Sequence, residues 1–298
     1  MGRSFKVQSA GGTIALDGSQ GVRARLAVRG TGMAPVKNQW FEGAGHGKTF
    51  RGGRVLARVM DLPVKVYAPP NDPNNRDLVR QRFANLARVL SLPNAPARLT
   101  FDLNDATPGG DRWWAMAVRS GGGDWEWDRD TDGKSFIHSV FTLDFGDPYW
   151  TAEDEESKVI TPIGVGLGLL GSGISLAQLR VGSADGFGST TIQNSGEVEA
   201  YPVWTIQAPF SGFALTSARG ETLIWDNGSV KSTGYIRVNT QDGTVVDETG
   251  ANQYAKLDPS PQFWSLAPGA NDVSVVMVAA GGATLATVTW APRREVLF

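Results

Sequence analysis

Few residues in this 298-residue chain have the types and spacing that enzyme chemistry requires. There is no cysteine, and His46 and His138 are the only histidines. A thiol nucleophile, a cysteine zinc site and a disulfide framework are therefore excluded, and the composition fits assembly in a reducing cytoplasm. The sequence also has no GxSxG elbow, no Walker A sequence and no HExxH helix. We predict no catalytic residue, no metal site and no cofactor.

One segment has a metal-like pattern. Residues 128–133, DRDTDG, begin like a calcium-binding EF-hand loop, in which alternating carboxylates converge on the ion. Position twelve of such a loop is Ser139 here instead of glutamate, and the flanking residues have the character of strands, not helices. The pattern favours an Asp-Gly turn between two strands, so we predict a β-hairpin over residues 125–143.

Three further matches favour a structural interpretation. The run GLGLLG at 166–171 has the glycine spacing of a dinucleotide-binding loop but no surrounding βαβ pattern. Asn227-Gly228-Ser229 matches a glycosylation acceptor, yet Asn-Gly is also a favoured hairpin turn, and the first twelve residues lack the apolar core of a secretion signal. The acidic run 153–156 is typical of a solvated linker, since nothing places two of its carboxylates across a cleft.

Charge is distributed unevenly along the chain, although the formal net charge is only −2. Residues 1–100 contain sixteen Lys and Arg against five Asp and Glu, whereas residues 101–158 contain five against fourteen. Arg23, Arg25 and Arg29 alternate with apolar residues in the basic part. They are our candidates for a charged face that docks on a complementary partner or lines a channel for nucleic acid, and the alternative is the solvated face of a strand.

The uncharged run 159–179 is long enough to span a bilayer. Its five glycines lower both the hydrophobicity and the helix propensity of the run. We therefore predict no membrane span. The run is either a glycine-rich linker or an apolar strand packed against a neighbour.

The periodicity of the sequence predicts a mainly antiparallel β protein. Residues 75–91 are the one segment typical of a long amphipathic helix, because apolar residues recur there at three- and four-residue steps. Elsewhere, apolar and polar residues alternate between turn residues, as in ARLTFDL at 97–103. We expect a single helix lying on a β-sheet.

Among the ten tryptophans, Trp225 is the one that we select as a candidate for a carbohydrate or protein contact. It stands beside Asp226 and the predicted Asn227-Gly228 turn, and exposed aromatic rings stack on the apolar faces of sugars. The alternative is a packed or partly buried ring.

Three signatures then give the chain a family resemblance. Asp147-Pro148-Tyr149-Trp150 closes the charged region, NSGEVEAYPVWTI occupies residues 194–206, and FWSLAPGANDVSV occupies residues 263–275. The composition of the second signature predicts a turn followed by a strand, and that of the third predicts strand, turn and strand. Together they resemble the distal tail proteins of long, non-contractile-tailed bacteriophages. The first 18 residues and residues 293–298 are left unassigned by this resemblance.

The resemblance implies two β-rich domains. Residues 1–150 would form a β-barrel-like belt domain with one α-helix and a β-hairpin. Residues 151–180 would be a glycine-rich linker or connecting strand. Residues 181–298 would form a β-sandwich like that of galectins or carbohydrate-binding modules.

The same resemblance implies a structural hub at the distal tail tip of a virion, assembled in the bacterial host cytoplasm. Six copies would form a ring that joins the tail tube protein to a tail-associated, baseplate or fibre protein. Tape-measure protein and then DNA would pass through the ring. The alternative from another class is an adhesin whose sandwich binds a host cell-surface glycan, and a third is an esterase or glycosidase with two facing carboxylates.

Overall fold

The chain folds into two compact units. The computed structural model describes residues 4–25, 28–69, 72–103, 112–125, 135–161, 188–281 and 283–297. The first unit comprises Met1–Asp154 together with Arg294–Phe298, and the second comprises Glu155–Arg293. The end of the chain therefore groups with the first unit, whereas the sequence-based division placed it in the second. Leu297 is 7% exposed and packs in the core of the first unit.

The first unit contains ten strands and one α-helix in its described residues. The strands are β1 Ser4–Ser9, β2 Gly12–Ala15, β3 Val22–Ala24, β4 Val36–Glu42, β5 Lys48–Val55, β6 Arg58–Tyr67, β7 Ala97–Asp102, β8 Arg112–Trp125, β9 Phe136–Phe145 and β10 Trp150–Ala152. The helix α1 spans Asn75–Val89, and a short 3-10 turn follows at Leu92–Asn94. No helix within the described ranges is long and apolar enough to cross a membrane.

Seven of these strands form an antiparallel sheet that nearly closes into a barrel. Their order is β2-β1-β7-β8-β9-β6-β3, and β10 pairs with β8 beside this path. The two edges of the sheet meet where the main-chain N–H of Ala24 donates to Leu16 O at 2.9 Å and where Asp17 bridges Arg23. Closure of this kind removes free edges, which would otherwise pair with other chains.

Period-two alternation fills the inside of this barrel. Met60, Leu62, Val64 and Val66 of β6 are fully buried, and their neighbours along the strand face outward or lie beneath other segments. Helix α1 adds Val79, Phe83, Leu86 and Val89 to the same core. The predicted helix is thus confirmed, ending at Val89. Full burial of one such side chain contributes roughly 1.5–3 kcal/mol, so the core accounts for the packing of the helix on the sheet.

A buried cation joins the loops of the first unit. Arg58, at the start of β6, is 2% exposed, and its guanidinium lies 5.7 Å from the Trp150 ring. Its Nε donates to Pro148 O at 2.8 Å, its Nη1 donates to Gly30 O at 2.8 Å and to Gly32 O, and its Nη2 donates to Glu295 O. Burial lowers the pKa of Arg58 below its ordinary value, and the Glu295 carboxylate opposes that shift.

Gly30 has φ +93°, and a Cβ there would lie 2.3 Å from Val59 O, so this close approach requires glycine.

The second unit is a β-sandwich. Its strands are β11 Glu156–Ile160, β12 Gly188–Asn194, β13 Val203–Gln207, β14 Phe210–Thr216, β15 Thr222–Lys231, β16 Tyr235–Asn239, β17 Thr244–Asp247, β18 Gly269–Val278 and β19 Leu285–Trp290. The short β20, Arg293–Arg294, follows in the chain at the boundary of the two units. One sheet has the order β11-β19-β13-β16-β17 and the other β12-β18-β14-β15, and all pairs are antiparallel. A 3-10 turn lies at Tyr254–Lys256. Side chains from both sheets form one buried cluster, which includes Trp204 of the first sheet and Phe213 of the second.

A buried asparagine joins the second and third signatures. The Nδ2 of Asn194, which is 1% exposed, donates to Val198 O and Leu266 O at 3.1 Å each, and its Oδ1 accepts from Gly196 N at 2.9 Å. Ala200 and Leu266 also exchange two main-chain hydrogen bonds. The predicted strands at Val203 and after Pro268-Gly269 are confirmed as β13 and β18. The strand predicted at Trp264–Leu266 is wrong, because only Leu266 is paired there, in an isolated bridge with Ala200.

Several predicted segments fall partly or wholly outside the described residues. Strands β8 and β9 pair as predicted for the hairpin at 125–143, but its turn at 128–133 lies outside the described residues. The run GLGLLG lies outside them too. Of the run 159–179, Val159 and Ile160 belong to β11, which pairs with β19.

We expect Arg58→Met to destabilise the first unit strongly. The substitution keeps an apolar stem but removes the donors to four main-chain carbonyls. A buried acceptor left without its donor costs about 1–3 kcal/mol, so the free energy of unfolding should fall by about 3 kcal/mol or more. Calorimetry would measure this change. Arg54→Met, at an exposed position, is the control and should stay within about 0.5 kcal/mol of the wild type. Equal stability of the two variants would contradict the role of Arg58.

Candidate assembly surface

Strands β4 and β5 form a separate two-stranded sheet, which we call the ribbon (residues 36–55). Every side chain of the ribbon is exposed, including Trp40 at 55%, Phe41 at 53% and Phe50 at 55%. A lone two-stranded hairpin is at best marginally stable in water. Exposed apolar side chains of this size, grouped together, mark a surface that another molecule covers.

The two faces of the ribbon differ in chemistry. Cross-strand partners share a face, so the register defines both faces. One face, which we call the aromatic face, carries Val36, Trp40, Phe50 and Val55. The other, the basic face, carries Lys37, Arg51, Arg54 and Phe41. On the aromatic face, the Trp40 and Phe50 ring centroids are 5.4 Å apart in an edge-to-face arrangement, and on the basic face Arg51 lies 5.1 Å from the Phe41 ring centroid. The ribbon is therefore amphipathic.

The local sequence gives the ribbon a bend. A β-bulge interrupts the register between Gln39 and Trp40, with Gly52 at φ +122° on the opposite strand. Bulges bend and twist a strand pair, and glycine accepts this backbone conformation without strain. At the base of the ribbon, the main-chain N–H of Leu56 donates to Pro35 O at 2.7 Å. Arg58, two residues further on, donates to Gly30 O and Gly32 O on the segment that leads into the ribbon, so it holds the ribbon's base.

Sequence analysis did not identify this ribbon. The available signals were the aromatic residues Trp40, Phe41 and Phe50 on either side of the glycine-rich turn GAGHG at 43–47. These signals are typical of a hairpin, but they do not show whether the hairpin joins a larger sheet. His46 lies in this turn.

The three candidate arginines lie on the outside of the barrel. Arg23, Arg25 and Arg29 are all exposed. They follow strand β6 in order, with contacts at Lys65, Pro63 and Asp61. The structure therefore places them along one edge of the barrel exterior, as the alternation in sequence indicates.

Trp225 does not lie on a surface. Its side chain is 1% exposed, and its ring stacks on Phe213 with a centroid distance of 5.5 Å and an interplanar angle of 13°. Lys256 Nζ lies 5.4 Å from its ring centroid. A sugar ring has no access to this side chain, so the packed alternative applies. Asp226 is exposed, and its Oδ1 accepts from Gly228 N at 2.8 Å. Both residues lie inside β15, so the hairpin turn predicted at Asn227-Gly228 is wrong. The Asx-like bond instead occurs where the register between β14 and β15 shifts.

Two carboxylates of the acidic run 153–156 form ion pairs or hydrogen bonds with neighbouring strands. Glu153 Oε2 lies 2.8 Å from Arg98 Nη2. Glu156 Oε2 accepts from Trp290 Nε1 at 2.8 Å, and its Oε1 accepts from the Ser195 hydroxyl. These carboxylates hold neighbouring strands and do not face each other across a cleft. Within the described parts of the chain, no three His, Asp or Glu side chains converge as a metal site would need.

Three carboxylates have lowered pKa values, each for a local reason. Asp247 has a pKa of about 2, because its carboxylate accepts hydrogen bonds from the Thr249 hydroxyl at 2.6 Å, from main-chain N–H groups and from Gln253. A Lys231 hydrogen bond lowers the pKa of Glu248, and the Ser19 hydroxyl lowers that of Asp17. The stabilisation of the Asp247 turn is thus present above about pH 4 and is lost as pH falls toward 2.

In its described residues, the chain combines a nearly closed antiparallel barrel, carrying one helix, with a β-sandwich. No protein-family model and no curated protein matches the sequence. Solved structures do match. The Dit protein of phage SPP1, described as a paradigm of the hub adsorption apparatus in phages that infect Gram-positive bacteria, aligns with TM-score 0.66 and 15% identity over 97% of this chain and 98% of that chain.

Two baseplate structures also match this chain. A chain of the phage P2 baseplate in its activated conformation with Ca aligns with TM-score 0.54 and 12% identity over 100% of both chains. The corresponding structure with Sr gives TM-score 0.54 and 11% identity over 99% of both chains. The predicted β-rich fold of a phage distal tail protein is thereby confirmed.

Because Trp225 belongs to the core, we expect Trp225→Ala to destabilise the second unit by about 3–5 kcal/mol. Ile224→Ala is the matched control: Ile224 is the preceding residue, 37% exposed on the opposite face of β15, and its truncation should cost about 1 kcal/mol or less. Urea denaturation followed by tryptophan fluorescence would measure both. Comparable stability losses would show that Trp225 is less tightly packed than its contacts indicate.

Proposed function

We propose that this chain is a structural, non-enzymatic hub of a phage tail tip. The observation that carries the proposal is the fold likeness to SPP1 Dit, which extends over 97% of this chain and 98% of that one, so that both units have counterparts. The matches to baseplate chains support the same setting. In this proposal, the protein is a virion component at the distal tail end, assembled in the host cytoplasm.

In its working form the hub is a homohexameric ring built from the first units. A closed ring needs head-to-tail contacts, in which each copy presents two complementary surfaces to its neighbours. The ribbon is suited to be one of these surfaces. Its aromatic side chains are uncovered in the isolated chain, and their burial between copies would offset the marginal stability of a lone hairpin.

The proposed partners follow from the position of such a ring. The tail tube protein would lie above it, and a tail-associated, baseplate or fibre protein below. Tape-measure protein and then DNA would pass through its centre transiently. The rival function is a carbohydrate-binding adhesin. Its candidate sugar contact was stacking of a sugar on the Trp225 side chain, and that side chain is buried.

We expect the double variant Trp40→Ser, Phe50→Ser to remain folded but to form no ring. Both side chains are exposed on the aromatic face, so the core is untouched while the contact surface loses its apolar area. Light scattering would report the mass and negative-stain images the ring. Phe41→Ser, on the basic face, is the matched control and should still assemble. A wild-type chain that stays monomeric at every concentration, alone and with purified tail tubes, would contradict the proposed ring.

A second contact is assigned to the arginine row. Reversing the charge of Arg23, Arg25 and Arg29 to glutamate changes the barrel exterior by six charge units and should weaken ring formation or docking to the tail tube, because like charges then oppose each other. Sedimentation with and without tail tubes would measure this, over a range of salt concentrations. Assembly indistinguishable from the wild type would remove these residues from the interface.

A further inference from the structure

Residues 227–230 of β15 form a bulge in the second unit. The paired residues on either side of them, Asp226 and Lys231, lie opposite Gly212 and Phe210 of β14. Four residues of β15 therefore stand against one residue of β14, so the sheet is locally out of register. The first residue of the bulge is half-buried and the other three are exposed. Water thus reaches this part of the strand.

Three hydrogen bonds fix the side chain of Asn227 and the main chain that follows it. Lys256 Nζ donates to Asn227 Oδ1 at 2.5 Å, and Asn227 Nδ2 donates to Ser229 O at 2.9 Å. An ammonium group only donates and a carbonyl only accepts, so these partners determine which way the carboxamide is turned. Gly228 N donates to Asp226 Oδ1 at 2.8 Å. A carboxamide, the next main-chain N–H, a carboxylate and an ammonium group therefore meet at one place.

These groups are the ones that cyclisation of an asparagine requires. In that reaction, the main-chain nitrogen of the following residue attacks the side-chain carbonyl carbon. A proton must leave the nitrogen, and negative charge develops on the carbonyl oxygen. Asp226 contacts this N–H and is placed to act as the general base. Lys256 contacts this oxygen and is placed to stabilise the charge.

The bulge also leaves room for the succinimide ring that the reaction forms. A Cβ at Gly228 would meet no atom within 4 Å. Residues 227–230 have no Cα partner in β14, so a change in the main chain here does not shift the register of the sheet. The fold therefore accommodates the product as well as the starting asparagine.

Asn194, followed by Ser195, is the contrasting case in the same unit. Asn194 is 1% exposed, and its Nδ2 donates to the carbonyls of Val198 and Leu266. Neither a carboxylate on the next N–H nor an ammonium group on its Oδ1 is found among its hydrogen bonds in the described residues. We expect this asparagine to persist.

We propose that Asn227 is a site of self-modification, which cyclises with Gly228 N with the help of Asp226 and Lys256 and then opens to aspartate or isoaspartate. The bond from Gly228 N to Asn227 Cγ forms as the Cγ–Nδ2 bond breaks. The proton that Asp226 takes from the nitrogen passes to the leaving NH2 group, which departs as ammonia. Water then opens the succinimide at either carbonyl, and no oxidant or reductant takes part. The product adds one negative charge beside Lys256, and this inference is independent of the proposed ring.

The purified full chain is aged at neutral pH, and the reaction is followed by released ammonia and by peptide mapping with mass spectrometry. We expect one ammonia per chain, with the change at residue 227 and none at Asn194. Asp226→Ala and Lys256→Met should each slow the conversion at least about tenfold, because each removes a group that contacts the reacting atoms. Asp258→Ala, which removes another exposed carboxylate of the second unit, is the matched control and should convert at the wild-type rate.

Unfolding separates this mechanism from the ordinary lability of an Asn-Gly sequence. In guanidinium chloride the sequence is unchanged, but Asp226 and Lys256 no longer contact the reacting atoms, so conversion should be at least about tenfold slower than in the native chain. Conversion that is as fast in denaturant, or that neither substitution slows, would show that the fold takes no part and would overturn the proposal. Persistence of Asn227 in the aged native chain would overturn it as well. So would ammonia loss without uptake of water and with residues 227 and 256 in one cross-linked peptide, since the attacking atom would then be Lys256 Nζ.

Discussion

The guanidinium of Arg58 is where distant stretches of the first unit meet. A charged group that is 2% exposed must be fully hydrogen-bonded to remain buried, and Arg58 achieves this with main-chain carbonyls of residues 30, 32, 148 and 295. One side chain thereby holds the segment that enters the ribbon, the Asp-Pro-Tyr-Trp signature and the end of the chain. Because Arg58 itself lies three residues after the end of β5, both sides of the ribbon's base are held at this point. The ribbon's position on the barrel thus depends on a cation in its own stem.

A neutral side chain has the equivalent role in the second unit. Asn194 can donate and accept at once, and it uses both functions to hold the turn at Gly196 and the main chain at Leu266. The second and third signatures therefore meet at one carboxamide, although Asn194 and Leu266 are 72 residues apart in sequence. The Trp204 and Trp264 rings, with centroids 5.8 Å apart, pack beside this junction. Both units therefore use a buried polar group to fix loops that a hydrophobic core alone would leave free.

The ribbon differs from the rest of the described chain because no core stabilises it. The barrel and the sandwich each bury a large cluster of apolar side chains, whereas the ribbon exposes aromatic residues on both faces. A protein that acted alone would gain nothing from this exposure, since apolar surface in water is unfavourable. In the proposed ring the same surface would be the source of affinity between copies, and its two different faces would give the contact a defined side.

Local sequence alone determined the elements whose signals lie within a few residues. The helix at Asn75–Val89, the strands around Val203 and Val273 and the turns of the signatures follow from periodicity and turn chemistry, which are properties of short segments. The outward position of Arg23, Arg25 and Arg29 follows from the same alternation.

Tertiary structure decided the rest. Trp225 and Ile224 are neighbours in a strand whose two faces are both apolar, and only the opposing sheet determines that Trp225 is buried. Likewise, the ribbon has the local pattern of any hairpin, and its isolation from the barrel sheet depends on which strands pair across long sequence separations, which no short segment encodes.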